Sequence, residues 1–187
     1  MIYVFLADGF EETEAITTID YLRRCELDVK TVSIKAPLAP VAGLIVTGSH
    51  KIKILADVTA NDVNLEEIDM IVLPGGMPGT LNLEMSTIVN TAIDYCVKNN
   101  KFIGAICAAP SILGHKGLLN GKNATCFTGF EDELLGANVK TDNVVVDGNI
   151  ITSRGAGTAN QFSFALIEAI TTKKRAELLK DSIIWKK

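Results

Sequence analysis

Residues 69–110, DMIVLPGGMPGTLNLEMSTIVNTAIDYCVKNNKFIGAICAAP, contain two apolar runs separated by a polar and amphipathic stretch. The runs Asp69–Leu73 and Phe102–Ile106 predict strands, because continuous apolar runs of this length are typical of strands covered on both faces. A helix is predicted between them at Ser86–Lys98. A strand, a crossover helix and a second strand form a βαβ unit, which predicts parallel pairing of the two strands.

The same alternation continues on both sides of this segment. Before the segment it predicts a strand at Ile2–Ala7, a helix from near Glu11 to about Arg24, a strand at Val29–Ile34, a loop at Pro37 and Pro40, and a hairpin at Leu44–Thr47 and Lys51–Leu55. From the end of the segment onward it predicts a helix beginning near Ala108, a second hairpin at Asn143–Val146 and Asn149–Thr152, and helices at Gly157–Ile170 and Lys173–Lys180. Asp8 lies three residues before Glu11, which is the spacing of a capping box. The pattern predicts an α/β fold in which helices cover both faces of a mostly parallel sheet, a three-layer sandwich. No linker or repeat interrupts it, so a single domain over residues 1–187 is expected.

Composition narrows the classes of protein. The chain of 187 residues is 48% hydrophobic and 21% charged, which excludes disorder. Its net charge of −4 disfavours binding to nucleic acid or to an anionic membrane. The longest uncharged apolar run, Phe102 to Gly114, is shorter than the ~18 residues of a membrane helix. The opening run Ile2–Ala7 has no basic leader, so a cytoplasmic location is expected.

Cysteine and histidine usage disfavours a metal site. The four cysteines include no C-x-x-C pair, and the chain has only two histidines. We therefore expect no bound metal and free thiols in a reducing compartment.

Cys107 is the strongest candidate for chemistry. It follows a buried strand directly and precedes a helix, which is the arrangement of a nucleophile elbow. Ala105 and Ala109 supply the small residues that such a tight turn requires two positions to either side. A helix N-terminus stabilises a thiolate, so we expect a lowered pKa for the Cys107 thiol. The alternative is a buried structural cysteine. Cys25, Cys96 and Cys126 lack such a context and are interpreted as core or surface thiols.

Two further groups stand at strand ends. Gly75 and Gly76 follow the Asp69–Leu73 strand and can present backbone N–H groups, which together with the N–H of Ala108 would form an oxyanion hole. The alternative is an ordinary glycine turn. Glu14 lies beside the apolar stripe of the first helix, so its carboxyl is expected to be partly buried and to keep its proton. Glu11 and Glu12 are interpreted as solvated charges of the first turn.

A dinucleotide-binding interpretation of Gly155-Ala156-Gly157 is rejected, because Asn160 occupies the position of the third glycine and no βαβ unit follows. The turn before a helix is sufficient to explain these glycines.

Five motifs together resemble the DJ-one (ThiJ/PfpI) superfamily, in its parkinsonism-associated and bacterial ThiJ-like branch. They are ADGFEETEA at residues 7–15, IDYLRR at 19–24, VLPGGMPG at 72–79, AICAAP at 105–110 and ITSRGAGT at 151–158, and they span nearly the whole chain.

The resemblance implies a flavodoxin-like fold and a homodimer with active sites near the interface. It also implies roles for individual residues: Cys107 as the reactive cysteine, Glu14 as the acid that hydrogen-bonds it, Gly75, Gly76 and Ala108 as backbone oxyanion donors, and Arg24 as an interface arginine that points toward the partner's site. Two positions depart from the animal branch. His50 stands where that branch has an arginine, and Cys126 stands where it has a histidine, so a part for either residue in the site stays open.

The leading functional hypothesis is a cysteine-dependent glyoxalase or deglycase. Its substrates would be α-oxoaldehydes such as methylglyoxal, or their glycated adducts with amines and thiols, and it would need no cofactor. The alternative is a redox sensor or chaperone regulated by oxidation of Cys107. A PfpI-type peptidase is less favoured because Ala108 stands where those relatives carry a histidine. A glutaminase is disfavoured because no histidine follows His115.

Overall fold

The computed structural model describes residues 1–35 and 43–186, so the loop predicted at Pro37 and Pro40 lies outside the described residues. Its strands are β1 (Ile2–Leu6), β2 (Val29–Ser33), β3 (Ile45–Thr47), β4 (Lys53–Leu55), β5 (Val58–Thr59), β6 (Met70–Leu73), β7 (Phe102–Ile106), β8 (Asn123–Ala124), β9 (Asn138–Val139), β10 (Val144–Asp147) and β11 (Ile150–Ser153). Seven of them form the central sheet in the order β10-β11-β7-β6-β1-β2-β5. All neighbours in this sheet are parallel except β10, which pairs antiparallel with β11.

Helices cover both faces of the sheet. They are α1 (Glu12–Arg24), α2 (Gly79–Met85), α3 (Thr87–Lys98), α4 (Pro110–His115), α5 (Ala159–Ile170) and α6 (Lys173–Ser182). On one face, α1, α5 and α6 bury side chains such as Leu22 and Phe162. On the other face, α3 and α4 bury Ile93 and Ile112. The predicted three-layer α/β sandwich is confirmed. No helix in the described ranges combines the length and apolarity needed to cross a membrane.

The first helix does not begin with the predicted capping box. Glu11 is the N-cap residue, and its carboxylate accepts a hydrogen bond of 2.7 Å from the backbone N–H of Glu14. Asp8 instead accepts a hydrogen bond of 2.8 Å from the backbone N–H of Thr47 and pairs with Lys35. The prediction for Asp8 was wrong because the chain between Asp8 and the helix is used to hold the β3–β4 hairpin.

Four loops meet at the carboxyl ends of β1, β6, β7 and β11. The backbone N–H of Glu11 donates to the carbonyl of Gly75 at 2.9 Å, which joins the loop after β1 to the loop after β6. The backbone N–H of Cys107 donates to the carbonyl of Ser153 at 2.9 Å, and the N–H of Phe127 donates to the carbonyl of Cys107 at 2.8 Å. Ligands of open α/β sheets bind at this end of the strands.

Candidate active site

Cys107 occupies a strained turn at the end of β7. Its φ is 65°, a left-handed conformation that non-glycine residues rarely adopt outside functional sites. The flanking Ala105 and Ala109 are fully buried, so larger side chains at these positions would collide with the core. Because of this turn, α4 begins at Pro110 rather than near Ala108. Cys107 is half-buried, whereas the other three cysteines are buried, so of the two interpretations left open for them the core one holds.

Three groups converge on the sulfur of Cys107. The backbone N–H groups of Ala108 and Gly76 both hydrogen-bond it, and so does the carboxyl group of Glu14. Burial and, after it, the negative charge of Glu14 raise the pKa of the Cys107 thiol to about 12, while the two N–H groups oppose the rise. The expectation of a lowered pKa is therefore wrong. Helix α4 has only six residues and starts three positions after the thiol, whereas Glu14 is in direct contact with it.

Glu14 is almost completely buried, with 1% of its surface exposed. The backbone N–H of Gly75 donates to its Oε2 at 2.8 Å, and its Oε1 has no hydrogen-bond partner among the described residues. Burial raises the pKa of Glu14 to about 7, while the hydrogen bonds from Gly75 and Cys107 oppose the rise. This carboxyl therefore keeps a proton near neutrality, as expected from its place beside the apolar stripe of α1.

The two groups titrate as a pair. The charge of Glu14 raises the pKa of Cys107, whereas the hydrogen bond from Cys107 lowers the pKa of Glu14, so the state with both groups charged is unfavourable. Between the two pKa values of about 7 and about 12, the pair holds one proton. Because the thiol has the higher pKa, this proton lies mainly on Cys107, and a thiolate beside a protonated Glu14 is the less populated arrangement of the same proton.

Gly75 has a different contact from the one expected. Its N–H is engaged by Glu14, so of the three expected oxyanion donors only Gly76 and Ala108 direct their N–H groups at Cys107. A Cβ added to Gly75 would lie 2.5 Å from the Cβ of Cys107 and 2.9 Å from Oε2 of Glu14. Only glycine allows the β6–α2 loop to approach both side chains this closely.

Glu12 is buried, contrary to its interpretation as a solvated charge. Only 4% of its surface is exposed, and its carboxylate accepts hydrogen bonds from the backbone N–H of His50 at 2.7 Å and from the hydroxyl of Ser49 at 3.1 Å. The Nδ1 atom of His50 lies 2.9 Å from Oε2 of the same carboxylate. Burial opposes ionisation, but these hydrogen bonds outweigh it and lower the pKa of Glu12. The contact could not be found from local sequence, because it joins residues 38 positions apart.

Glu11, Glu12 and His50 form one cluster of metal-ligand residue types. Their ligand atoms all lie within 4.8 Å of one another, a grouping that the expectation of no metal site did not anticipate. The hydrogen bonds to Ser49 and His50 already engage both carboxylate oxygens of Glu12. The cluster therefore connects the β3–β4 turn to the start of α1. The hydrogen bond between the His50 side chain and Glu12 raises the pKa of His50.

Among the described residues, no hydrogen bond joins Arg24 or Cys126 to the Cys107 thiol. Arg24 is in the last turn of α1, where its Nε donates to Asp20 at 2.7 Å. Ten residues of helix separate it from Glu14, roughly 15 Å at 1.5 Å per residue. Cys126 is 2% exposed and precedes Phe127, whose N–H holds the Cys107 carbonyl. Burial raises the pKa of Cys126 to about 11, so this thiol is protonated at neutral pH.

Comparison with known proteins gives one consistent result. The model of the DJ-1/PfpI family matches residues 1–169. The chain is 38% identical to protein DJ-1 homolog B of Arabidopsis thaliana over 168 residues, which are 89% of this chain and 37% of that protein, so the chain spans well under half of this relative. It is 33% identical to the glutathione-independent glyoxalase DJR-1.2 of Caenorhabditis elegans over 172 residues, covering 90% of this chain and 87% of that one.

The solved structures agree. The oxidized DJ-1 of Toxoplasma gondii superimposes with a TM-score of 0.91 at 30% identity and covers 100% of this chain and 98% of its own. Such a score confirms the flavodoxin-like α/β fold that the motifs imply. The matches run through the opening strand, the acidic helix start, the glycine turn and the cysteine elbow, and together they show that this chain belongs to the DJ-1/PfpI family.

Proposed function

We propose that this protein is a cysteine-dependent glyoxalase or deglycase that acts on α-oxoaldehydes such as methylglyoxal, or on their adducts with amines and thiols. The observation that carries the proposal is the convergence of the Glu14 carboxyl and the Gly76 and Ala108 N–H groups on the sulfur of Cys107. The glyoxalase name of the Caenorhabditis elegans relative supports it, because it shows that the family includes enzymes of this type.

The reaction needs only these groups and water. The Cys107 thiolate bonds to the aldehyde carbon, and the proton held by Glu14 passes to the carbonyl oxygen, which gives a thiohemiacetal. The backbone N–H groups of Gly76 and Ala108 stabilise the negative charge that develops on that oxygen. Glu14 next moves a proton from the former aldehyde carbon to the neighbouring carbon, and the hydroxyl proton passes to the neighbouring carbonyl oxygen, which oxidises the first carbon and reduces the second. Water cleaves the resulting thioester, releases lactate and restores the thiol.

The test is conversion of methylglyoxal to lactate by the purified protein. We expect Cys107→Ser to abolish turnover, because a serine hydroxyl is not ionised in this setting. Glu14→Gln should lower turnover by about 10²–10⁴-fold, the usual contribution of a positioned proton donor. The matched control is Cys96→Ser, which replaces a buried thiol of α3 and should leave turnover within a factor of two. Full activity in Cys107→Ser or Glu14→Gln would refute the proposal.

A second candidate function is redox sensing, including a chaperone regulated in this way. It is favoured by the exposure of Cys107, since the other three thiols are buried, and by the relative from Toxoplasma gondii, whose structure is of an oxidized form. Mass spectrometry after mild peroxide decides between the two functions. Selective sulfinic acid at Cys107 in a protein without aldehyde turnover supports the sensor.

The peptidase hypothesis gains no support from the site. Within the described residues no hydrogen bond joins a histidine to the Cys107 thiol; His50 contacts Glu12, and His115 contacts Glu84 and Glu133. The acid that contacts the thiol is Glu14, which suits proton transfer at an aldehyde better than activation of a peptidase nucleophile.

Assembly as a cytoplasmic homodimer belongs to the same proposal. Three large apolar side chains, Ile16 on α1 and Ile52 and Leu55 at the β3–β4 hairpin, are 42%, 52% and 63% exposed. Ile16 and Leu55 line one surface cavity together with Arg23 and Asp57. An exposed apolar surface with a polar rim fits a second copy of the chain.

A further inference from the structure

Arg154 differs from the other three arginines of the chain. Arg23 pairs with Asp57, Arg24 with Asp20 and Arg175 with Glu26. Arg154 has no carboxylate within 4.0 Å in the parts of the chain that the structure describes. Its charge is therefore not compensated by an ion pair.

Two neutral oxygens hold the guanidinium in place. Nη1 donates to the carbonyl of Thr141 at 3.2 Å, and Nη2 donates to the hydroxyl of Thr128 at 2.6 Å. A guanidinium carries five N–H donors in a planar fork, so further donors remain for a ligand. An arginine oriented by neutral groups is suited to bind a carboxylate with two parallel hydrogen bonds.

Arg154 lines a cavity of about 270 Å³ together with Phe127, Thr128 and Gly155. This cavity adjoins the reactive pair. A Cβ added to Gly155 would lie 3.2 Å from the Phe127 ring and 3.8 Å from Oε1 of Glu14, the oxygen that has no hydrogen-bond partner. Gly155 therefore lies between the wall of the cavity and the acid of the candidate active site, and the volume suits a small molecule of a few carbon atoms.

The cavity is also connected to Cys107 through the backbone. The N–H of Phe127 donates to the carbonyl of Cys107, and the N–H of Cys107 donates to the carbonyl of Ser153. Thr128 follows Phe127 in sequence, and Arg154 follows Ser153. The guanidinium and the thiol are thus positioned by the same two chain segments. Gly155, which lines the cavity, is the residue that separates a molecule bound to Arg154 from the carboxyl of Glu14.

We infer that Arg154 is a specificity-determining residue that binds a carboxylate of the substrate, so that the preferred substrates are α-oxoaldehydes that carry a carboxylate group. This inference rests on the proposed function and names its substrate class. Because the contact is remote from the reacting carbon, it lowers KM more than it raises kcat.

The test compares two substrates that differ only in this charge: 4,5-dioxopentanoate and its neutral amide, 4,5-dioxopentanamide. We expect wild-type protein to favour the carboxylate by about tenfold in kcat/KM, mainly through KM, which corresponds to one charge-assisted contact. In Arg154→Gln the preference should fall to within twofold. Arg175→Gln is the matched control, since Arg175 is already paired with Glu26, and it should keep the preference.

A second measurement does not depend on turnover. Iodoacetate and iodoacetamide have similar size and both alkylate Cys107, but only iodoacetate is an anion. We expect Arg154→Gln to lower the ratio of the two alkylation rates by at least threefold and Arg175→Gln to leave it unchanged, as followed by intact mass. If Arg154→Gln fails to fold, Arg154→Lys serves instead, because it keeps the charge but loses the fork, and its substrate preference should fall to threefold or less.

The outcomes distinguish failure of the proposed function from failure of the inference about Arg154. If wild-type protein turns over neither aldehyde, the proposed function fails and the alkylation ratio alone decides the role of Arg154. If it turns over both aldehydes equally and the alkylation ratio is the same in Arg154→Gln, the inference is overturned while the proposed function stands.

Discussion

The reactive pair shows how two side chains can share one proton. Glu14 is held by Gly75 on one oxygen, and burial keeps its proton affinity high. Cys107 receives two backbone N–H groups, which favour the charged sulfur, while the charge of Glu14 disfavours it. A neutral Glu14 removes that contribution, while burial, the largest cause of the raised pKa, remains. The reactive form is therefore the minor arrangement of the singly protonated pair, in which the sulfur is charged and Glu14 holds the proton.

This coupling predicts the pH dependence of thiol reactivity. Below the first pKa of about 7 both groups are protonated and the thiol is a poor nucleophile. As pH rises through that value, one proton leaves the pair, so the rate of Cys107 alkylation by iodoacetamide should rise and show an inflection near pH 7. Stopped-flow or mass-spectrometric rates from pH 5 to 9 measure it.

The control for this prediction is Glu14→Gln. That variant has no carboxyl to titrate, so its profile should lack the inflection near pH 7 and follow the thiol alone. Profiles that superimpose in wild type and variant would show that the two groups are not coupled.

Sequence reasoning placed some site residues well and others wrongly. Cys107 and Glu14 lie where expected, because a strand end and a helical stripe are local patterns. Glu12 was misjudged, since its burial depends on Ser49 and His50 in a distant hairpin. The raised pKa of Cys107 was also missed, because it comes from the burial of the thiol and then from the charge of Glu14, which lies on a different element.

At the scale of elements, long periodic segments were predicted and short ones were not. The strand β7 has the predicted bounds, and α3 and α5 begin within two residues of their predicted starts. Helix α2 was missed because seven residues are too few to show a periodic pattern, and β5, β8 and β9 have only two residues each. Such elements form because tertiary contacts hold them.

The loop between β6 and α2 should be intolerant of any side chain at Gly75. A methyl group there would meet the Cβ of Cys107 and the carboxyl of Glu14, so the loop would move away and its N–H would leave Glu14. We expect Gly75→Ala to lower methylglyoxal turnover by at least about 100-fold, as expected when both proton transfer and the oxyanion donors are displaced. Gly157→Ala is the control, because nothing lies within 4 Å of the added Cβ. Near-normal turnover in Gly75→Ala would show that the close approach is not required.

The end of α4 is tied to two other elements by His115. Its Nδ1 contacts the carboxylate of Glu84 in α2, and its Nε2 lies 2.8 Å from that of Glu133 in a 3₁₀ turn. These hydrogen bonds raise the pKa of His115 in the folded protein. A raised folded-state pKa stabilises the fold fully below the unfolded value of 6.5, and the stabilisation is lost as pH rises through the folded value.

We therefore expect His115→Gln to lower the free energy of unfolding by roughly 0.5 kcal/mol at pH 5.5, since the pairs are partly solvated, and by less at pH 9. Urea denaturation at the two pH values measures the difference. An equal effect at both would mean that the imidazolium charge does not contribute.

At the scale of the whole molecule, the order of strands could not be predicted. The sequence pattern predicts parallel strands and helices on both faces, and both are found. However, β6 lies between β1 and β7, and β2 lies on the other side of β1. This order depends on long-range packing of two separate apolar layers, which local patterns do not encode.

The exposed apolar surface of Ile16, Ile52 and Leu55 predicts self-association. We expect wild-type protein to sediment as a dimer and Leu55→Asp to sediment as a monomer, because a buried unpaired carboxylate is costly. Leu178→Asp on α6 is the control, since Leu178 is 53% exposed on a different surface, and it should stay dimeric. A dimeric Leu55→Asp variant would place the interface elsewhere.

The buried carboxylate of Glu12 has a consequence for such an assembly. Glu12 lies in the first turn of α1, two residues before Glu14, and accepts a hydrogen bond from the backbone of His50 in the β3–β4 turn. A displacement of the hairpin would therefore also displace the start of α1, the helix that carries the proton donor Glu14. We expect that loss of the proposed contact between subunits at this hairpin shifts the titration midpoint of Glu14.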